Sequence, residues 1–238
     1  MNGFKNEDSI INYINTTSFE KMEIIHQKLI LSLNNSLQPE TISARKYGGQ
    51  NKADIGITID GDEFFFSIKK GTGNSVHQEP IEEFIAFLRE VEVNESVFDD
   101  LRFFIWGDGT LNGTGSKLNR INSSQLHREY PVKIQNIQRY FNKYIDSLID
   151  RFVITGVKSN KGADYLWYGD KKDGITISKE NMRKVIKSLS KKTLYIGALT
   201  FQAWNRALND NPKLEERRGV IQLKWGTLEQ DILNFYNE

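Results

Sequence analysis

The chain has no cysteine, and only three histidines, three methionines and four prolines among its 238 residues. Without thiols there is neither a disulfide nor a thiolate metal site, and His26, His77 and His127 are too scattered to make a zinc centre. No stretch approaches the roughly 20 apolar residues of a membrane span. Residues 1–9 lack the basic and apolar regions of a secretory signal, so a bacterial cytoplasmic protein is expected, with no membrane partner. A phosphate-binding Gly-Lys-Ser/Thr turn, EF-hand spacing, internal repeats and low-complexity tracts are also missing. Charge of one sign is lacking too: the formal net charge is +1. That balance argues neither for nor against nucleic acid, because acidic catalytic groups offset a basic face. What is present is the composition of a globular protein, 38% hydrophobic and 26% charged, long enough to bury a real core.

The most informative segment is residues 54–69, Asp-Ile-Gly-Ile-Thr-Ile-Asp-Gly-Asp-Glu-Phe-Phe-Phe-Ser-Ile-Lys. Two alternating runs flank Asp60-Gly61, a strong signal for a tight β-hairpin. A two-residue turn opposes Ile59 to Asp62, Ile57 to Phe64 and Ile55 to Phe66, with Ile68 continuing that apolar face. The other face opposes Thr58 to Glu63, Gly56 to Phe65 and Asp54 to Ser67, and Lys69 points the same way. A four-residue loop would oppose Asp54 to Lys69 directly. Either register gathers a carboxylate, a hydroxyl and an ammonium at the open end of one face. Such a set suits magnesium-assisted phosphodiester hydrolysis. Hard oxygen ligands hold the ion, which lowers the pKa of a bound water, while the lysine stabilises charge on the phosphate.

Residues 70–79 lead through a Gly-rich turn into Pro80-Ile-Glu-Glu-Phe-Ile-Ala-Phe-Leu-Arg-Glu, a helix over 80–92 with Pro80 in its first turn and Glu82 and Glu83 at its positive end. Asp54, Ser67-Ile68-Lys69 and a glutamate near the start of that helix together resemble the core motif of the PD-(D/E)XK nuclease superfamily. More narrowly, they resemble the type II restriction endonucleases in which Ser replaces the acid before X-Lys and the missing carboxylate comes from the following helix. The resemblance spans roughly residues 50–85, and departs from the family pattern at Ala53, where Pro is usual, and at Ser67. It implies that Asp54, the Ile68 carbonyl and Glu79 ligate Mg²⁺, with Glu82 and Glu83 as alternatives to Glu79. It also implies that Lys69 activates water, that double-stranded DNA is the substrate, and that the protein is a homodimer. Ser67 is a spacer or hydrogen-bonding aid, because no histidine is placed to act as its base.

Elsewhere, residues 8–14 and 18–34 read as helices, and Leu101–Trp106 reads as a third strand lying parallel to 64–69. Pro131 opens a long helix to about Ile149. Residues 163–168 and 174–178 read as strands, 179–190 as a helix, and 194–201 pairs with 220–225. The expected fold is α/β, a mixed-sheet restriction-endonuclease-like core flanked by helices (1–152), followed by an α+β recognition region (153–238). Candidate DNA contacts are Asp108 and Thr110 in the Gly-rich loop 107–115, and Arg183 and Lys187 on the basic face of the helix, which Lys191 and Lys192 continue. Gln202, Asn205 and Arg206 are side-chain types that read base edges. The expected activity is that of a Mg²⁺-dependent, sequence-specific endonuclease. The alternatives are a non-catalytic nucleic-acid-binding protein on the same fold, which Ser67 favours, or a repair or structure-specific nuclease.

Overall fold

A computed structural model describes residues 3–34, 38–49, 51–71, 74–157, 160–191 and 193–237. In chain order its elements begin with α1 (Gly3–Thr16), α2 (Ile24–Leu33), β1 (Ile42–Lys46), β2 (Ile55–Ile59), β3 (Asp62–Lys69) and β4 (Ser75–Pro80). There follow α3 (Ile81–Glu90), α4 (Ser96–Trp106), α5 (Ser123–Glu129), α6 (Pro131–Lys143), α7 (Ile145–Ile149) and a π-helical turn (Asp150–Thr155). The chain closes with β5 (Tyr165–Tyr168), β6 (Ile175–Ser178), α8 (Lys179–Ser188), β7 (Tyr195–Ile196), β8 (Leu199–Ala203), α9 (Pro212–Glu215), β9 (Val220–Lys224) and α10 (Leu228–Asn237).

The chain forms two compact units, each built from separated segments: residues 1–74, 149–185 and 227–238, and residues 75–148 and 186–226. This interleaving differs from a linear division near residue 152. Its cause lies in the first unit's sheet, ordered β1-β2-β3-β5-β6, where β3 takes β5 as its parallel neighbour and so draws a late segment beside an early one. All other pairings in that sheet are antiparallel, so the sheet is mixed.

The hairpin β2–β3 has the two-residue register, with Ile59 opposite Asp62 and Ile55 opposite Phe66. Asp60 and Gly61 both have positive φ, 48° and 96°, as the tight turn demands. The Asp60 carboxylate supports that geometry by accepting the backbone N–H groups of Glu40 and Thr41, each at 2.8 Å. One face supplies Ile55, Ile57, Ile59 and Phe66, all fully buried, to a core completed by Ile10 and Ile14 of α1, Leu29 and Ile30 of α2, and Trp167 of β5. At about 25 cal/mol per Å², each such side chain contributes roughly 1.5–3 kcal/mol.

His26 is enclosed in this core, its ring 4.8 Å from Trp167 and 5.3 Å from Tyr13, with Nδ1 3.3 Å from the Tyr13 hydroxyl. Burial lowers its pKa, against the opposing pull of Glu23, Asp170 and Asp173. The unfolded chain therefore binds a proton that the folded chain resists. Stability is fully present above pH 6.5 and falls as pH drops below it. Thermal melts at pH 7.5 and pH 5 should show a lowered midpoint at the acid pH that His26→Leu diminishes.

The second unit has an antiparallel sheet ordered β4-β9-β8-β7. Phe201 of β8 sits at its centre, 4.8 Å from Phe141 of α6, 5.8 Å from Phe84 of α3 and 6.2 Å from Phe104 of α4. Leu101–Trp106 is the end of helix α4, not a strand. Val97, Leu101, Phe104 and Ile105 bury at helical spacing, and Gly107 at φ 60° ends the helix by donating its N–H to the Phe103 carbonyl. The strand expected there is supplied instead by β5. Glu79 and Pro80 likewise end a strand, β4, before α3 begins at Ile81. The long helix from Pro131 breaks at Tyr144 into α6 and α7.

Candidate active site

Asp54 lies one residue ahead of β2, fixed on both sides by backbone hydrogen bonds: its N–H donates to the Phe66 carbonyl at 2.8 Å, and its carbonyl accepts from Tyr47 N–H at 2.9 Å. Because residues alternate along β3, Ser67 and Lys69 face the same side. The Asp54 carboxylate accepts the Ile68 N–H at 2.6 Å and the Ser67 hydroxyl at 3.2 Å, both through Oδ2. Lys69 Nζ donates to Ser67 Oγ at 3.0 Å and to the Ile68 carbonyl at 3.1 Å, and stands 3.7 Å from Asp54 Oδ2. Three oxygens of different kinds thus converge on one cation. The Asp54 and Lys69 side chains are 28% and 21% exposed, so the cluster is open to solvent on one side.

Lys52 joins this neighbourhood, although nothing in the sequence pattern singles it out. Its N–H and that of Ala53 both donate to the Lys161 carbonyl, and Nζ donates to the Phe152 carbonyl of the π-helical turn. These bonds pin the chain immediately before Asp54. Burial, reinforced by the Lys69 ammonium and opposed by Asp54, pushes the Lys52 amine down to about 7.

No family model matches the sequence, and no curated protein is similar to it at a significant level. Among solved structures, the restriction endonuclease MspI in complex with its cognate DNA superposes with a TM-score of 0.60 over 93% of this chain and 88% of that one, at 18% sequence identity. The fold is that of a restriction endonuclease. The mixed sheet flanked by helices, expected from the hairpin and its resemblance, is therefore present.

Within this restriction-endonuclease fold, Asp54, Ser67, Ile68 and Lys69 come together in the first unit. The three glutamates considered as the missing acid belong to the second. Glu79 is a buried side chain of β4, its Oε1 3.3 Å from His77 Nε2. Glu82 is held in a fork by Arg102 at 2.7 and 2.8 Å, and the hydrogen-bonded guanidinium keeps its carboxyl below the usual range. Among the described residues no three His, Cys, Asp or Glu side chains gather as a metal-holding group.

The residues considered for DNA contact have more varied surroundings. Asp108 is 1% exposed and is the hub of its loop, so it is a buried anchor and not a surface contact. It accepts from the Thr110 N–H and hydroxyl at 3.0 and 2.7 Å, from Gly115 N–H at 3.2 Å, and from the Arg218 guanidinium at 2.7 Å. Three bases of α8 face aspartates: Lys179 pairs with Asp164, Arg183 with Asp150 and Lys187 with Asp146. The basic face is thus partly neutralised in space, and Lys192 lies outside the described residues. Gln202 donates to Gln222 at 2.9 Å, and Asn205 accepts the Ala207 N–H at 2.5 Å. Arg206 is 8% exposed and donates to the Phe104 carbonyl at 2.6 and 3.2 Å; burial pushes its pKa down to about 10.

Proposed function

We propose that this protein is a Mg²⁺-dependent DNA endonuclease of the type II restriction kind. The observation that carries the reading is the Asp54–Ser67–Lys69 cluster at the open end of the β2–β3 hairpin in a restriction-endonuclease fold. The donor set fits a hard cation. The Asp54 carboxylate and the Ile68 carbonyl are oxygen ligands of the type magnesium takes, and magnesium ordinarily keeps several waters besides one or two carboxylates. The resemblance offers a glutamate as third contributor, with Glu79 the first choice and Glu82 and Glu83 the alternatives; Glu82 is held by Arg102. Bound there, the ion would supply a water of lowered pKa and neutralise charge at the phosphate.

The chain's own residues have distinct tasks. Lys69 brings a positive charge to the position where charge develops on the phosphate, and orients the attacking water. Ser67 holds Asp54 and Lys69 in register through its two hydrogen bonds. Its hydroxyl is engaged by a carboxylate and an ammonium, not by an imidazole base, so it does not act as a nucleophile. Double-stranded DNA is the substrate, and a homodimer would place one such cluster on each strand of a symmetric target.

Supercoiled plasmid incubated with the pure protein and Mg²⁺ should yield discrete fragments, whereas chelation by EDTA should stop the reaction. Glu79→Ala should slow cutting about 10²-fold, on the scale of losing one group that stabilises charge in the transition state. Glu82→Ala should leave the rate within a few-fold. Intact plasmid under every divalent cation, with DNA still bound, would favour the non-catalytic alternative that Ser67 at the usual acidic position supports. Nicking confined to branched substrates would favour a structure-specific nuclease.

A further inference from the structure

Between β8 and α9 the chain makes a short loop whose construction exceeds what a connection needs. Ala207 holds φ +49°, a left-handed conformation that costs an alanine about 1–3 kcal/mol. Two contacts keep it there: its N–H donates to Asn205 Oδ1, and its carbonyl accepts from Arg120 Nη1 at 3.0 Å. Arg206 passes inward beside Gly107, where an added Cβ would stand 2.7 Å from the arginine Cδ and Nε. The guanidinium packs 4.9 Å from the Phe104 ring and bonds the Phe104 carbonyl, and among the described residues it has no carboxylate partner. A buried cation without an acid, held by a strained loop, has hydrogen-bonding capacity that the fold itself does not consume.

That loop walls a cleft of about 280 Å³, lined by Trp204, Asn205, Arg206, Asn209 and, from the start of α5, Asn122. Its polar lining residues are three asparagines and Arg206, with no carboxylate. Asn205 spends its oxygen on Ala207, which leaves its amide N–H₂ as the group to offer. Trp204 lies at the cleft with Arg217 5.3 Å over its ring, an aromatic surface and a cation side by side.

Resting on the nuclease reading above, we infer that this cleft is a base-reading site, taking the acceptor-rich edge of a nucleobase through donors from Asn205, Asn209 and Arg206. Guanine, with two adjacent acceptors on its major-groove edge, matches an arginine and amide donors best. Phosphate would also suit a cation, but phosphate contacts carry no sequence information, and this separates the two ligands experimentally.

The test is selection from a pool of randomised duplexes by the full-length protein, with Ca²⁺ replacing Mg²⁺ to hold the bound state. Asn209→Ala removes an exposed donor. Asn205→Ser removes the amide donor yet keeps a hydroxyl to accept the Ala207 N–H, so the loop retains its support. Unchanged melting midpoints establish that both variants are folded. The expected result is a preference for guanine at one base pair that falls by about 5–150-fold in each variant, with affinity for unrelated duplex unchanged. Undiminished preference at every position, or a uniform loss of affinity across all sequences, overturns the inference while leaving the nuclease reading intact. Wild-type protein that binds without any sequence preference overturns it too. Wild-type protein that binds no duplex at all overturns both.

Discussion

Lys69→Ala is expected to reduce DNA cleavage by about 10²–10³-fold while leaving duplex affinity close to wild type. The Lys69 ammonium touches three of the cluster's groups: Ser67 Oγ at 3.0 Å, the Ile68 carbonyl at 3.1 Å and Asp54 Oδ2 at 3.7 Å. With a fifth of the side chain exposed, it can meet substrate without being fixed by burial alone. On the proposed mechanism its removal deletes a charge matched to the transition state and not to the ground state, so kcat should fall and binding should not. Lys69→Arg is a useful companion. A guanidinium keeps the charge, but its planar fork does not fit the position of a point-like ammonium, and only partial rescue is expected. A cleavage time course on labelled duplex, paired with a binding titration in Ca²⁺, reads both quantities. Cutting by Lys69→Ala at the wild-type rate would remove the lysine from the mechanism.

The largest expected effect on stability comes from Asp108→Ala. The Asp108 side chain is fully buried and Arg218 is 7% exposed, with 2.7 Å between carboxylate and guanidinium. Removing the carboxylate leaves a buried cation facing, among the described residues, the Trp106 and Gly113 carbonyls and the Trp106 ring, since Glu215, at 4.0 Å and 44% exposed, is too distant and too wet to replace it. Breaking such a pair from one side costs about 3–5 kcal/mol, which for a protein of this size lowers the melting midpoint by about 6–20 °C. Arg218→Met in the same chain should recover part of the loss, because the stranded charge is then gone. Burial pushes the Asp108 carboxyl up, but hydrogen bonds from Arg218 and Thr110 outweigh it and hold the group below its ordinary value. Its contribution is therefore present above about pH 4 and is lost as pH falls through the lower, folded value. Wild type should lose stability over that acid range more steeply than the Asp108→Ala, Arg218→Met double variant.

The cluster was legible in the sequence because a β-hairpin is a local object. Alternation fixes which side chains share a face, Asp60-Gly61 fixes the turn, and together they place Asp54, Ser67 and Lys69 without long-range information. Leu101–Trp106 is ambiguous in the sequence for the opposite reason. Six residues rich in apolar and aromatic side chains fit a buried strand as well as a helix, and the helical spacing emerges only when Val97 and Phe98 are counted with them. Strand β4 leaves little trace in the sequence because Ser-Val-His-Gln-Glu-Pro has little β-branched character, and its partner β9 lies far along the chain. The interleaving of the two units follows from the β3–β5 pairing, another contact between distant segments. The run of bases along α8 likewise carries no sign of the aspartates that face it, since Asp146, Asp150 and Asp164 arrive from other elements. Lys52 sits in a loop with no periodicity to mark it.

Diffraction from crystals of the full chain soaked in Mn²⁺, read as an anomalous difference map, bears most directly on the Asp54–Lys69 cluster as a metal-dependent centre. An ion is expected about 2.0–2.4 Å from an Asp54 carboxylate oxygen and from the Ile68 carbonyl, with Lys69 turned away from that carbonyl to face solvent. A map with no ion between those two oxygens, or with its only peak elsewhere, would contradict it.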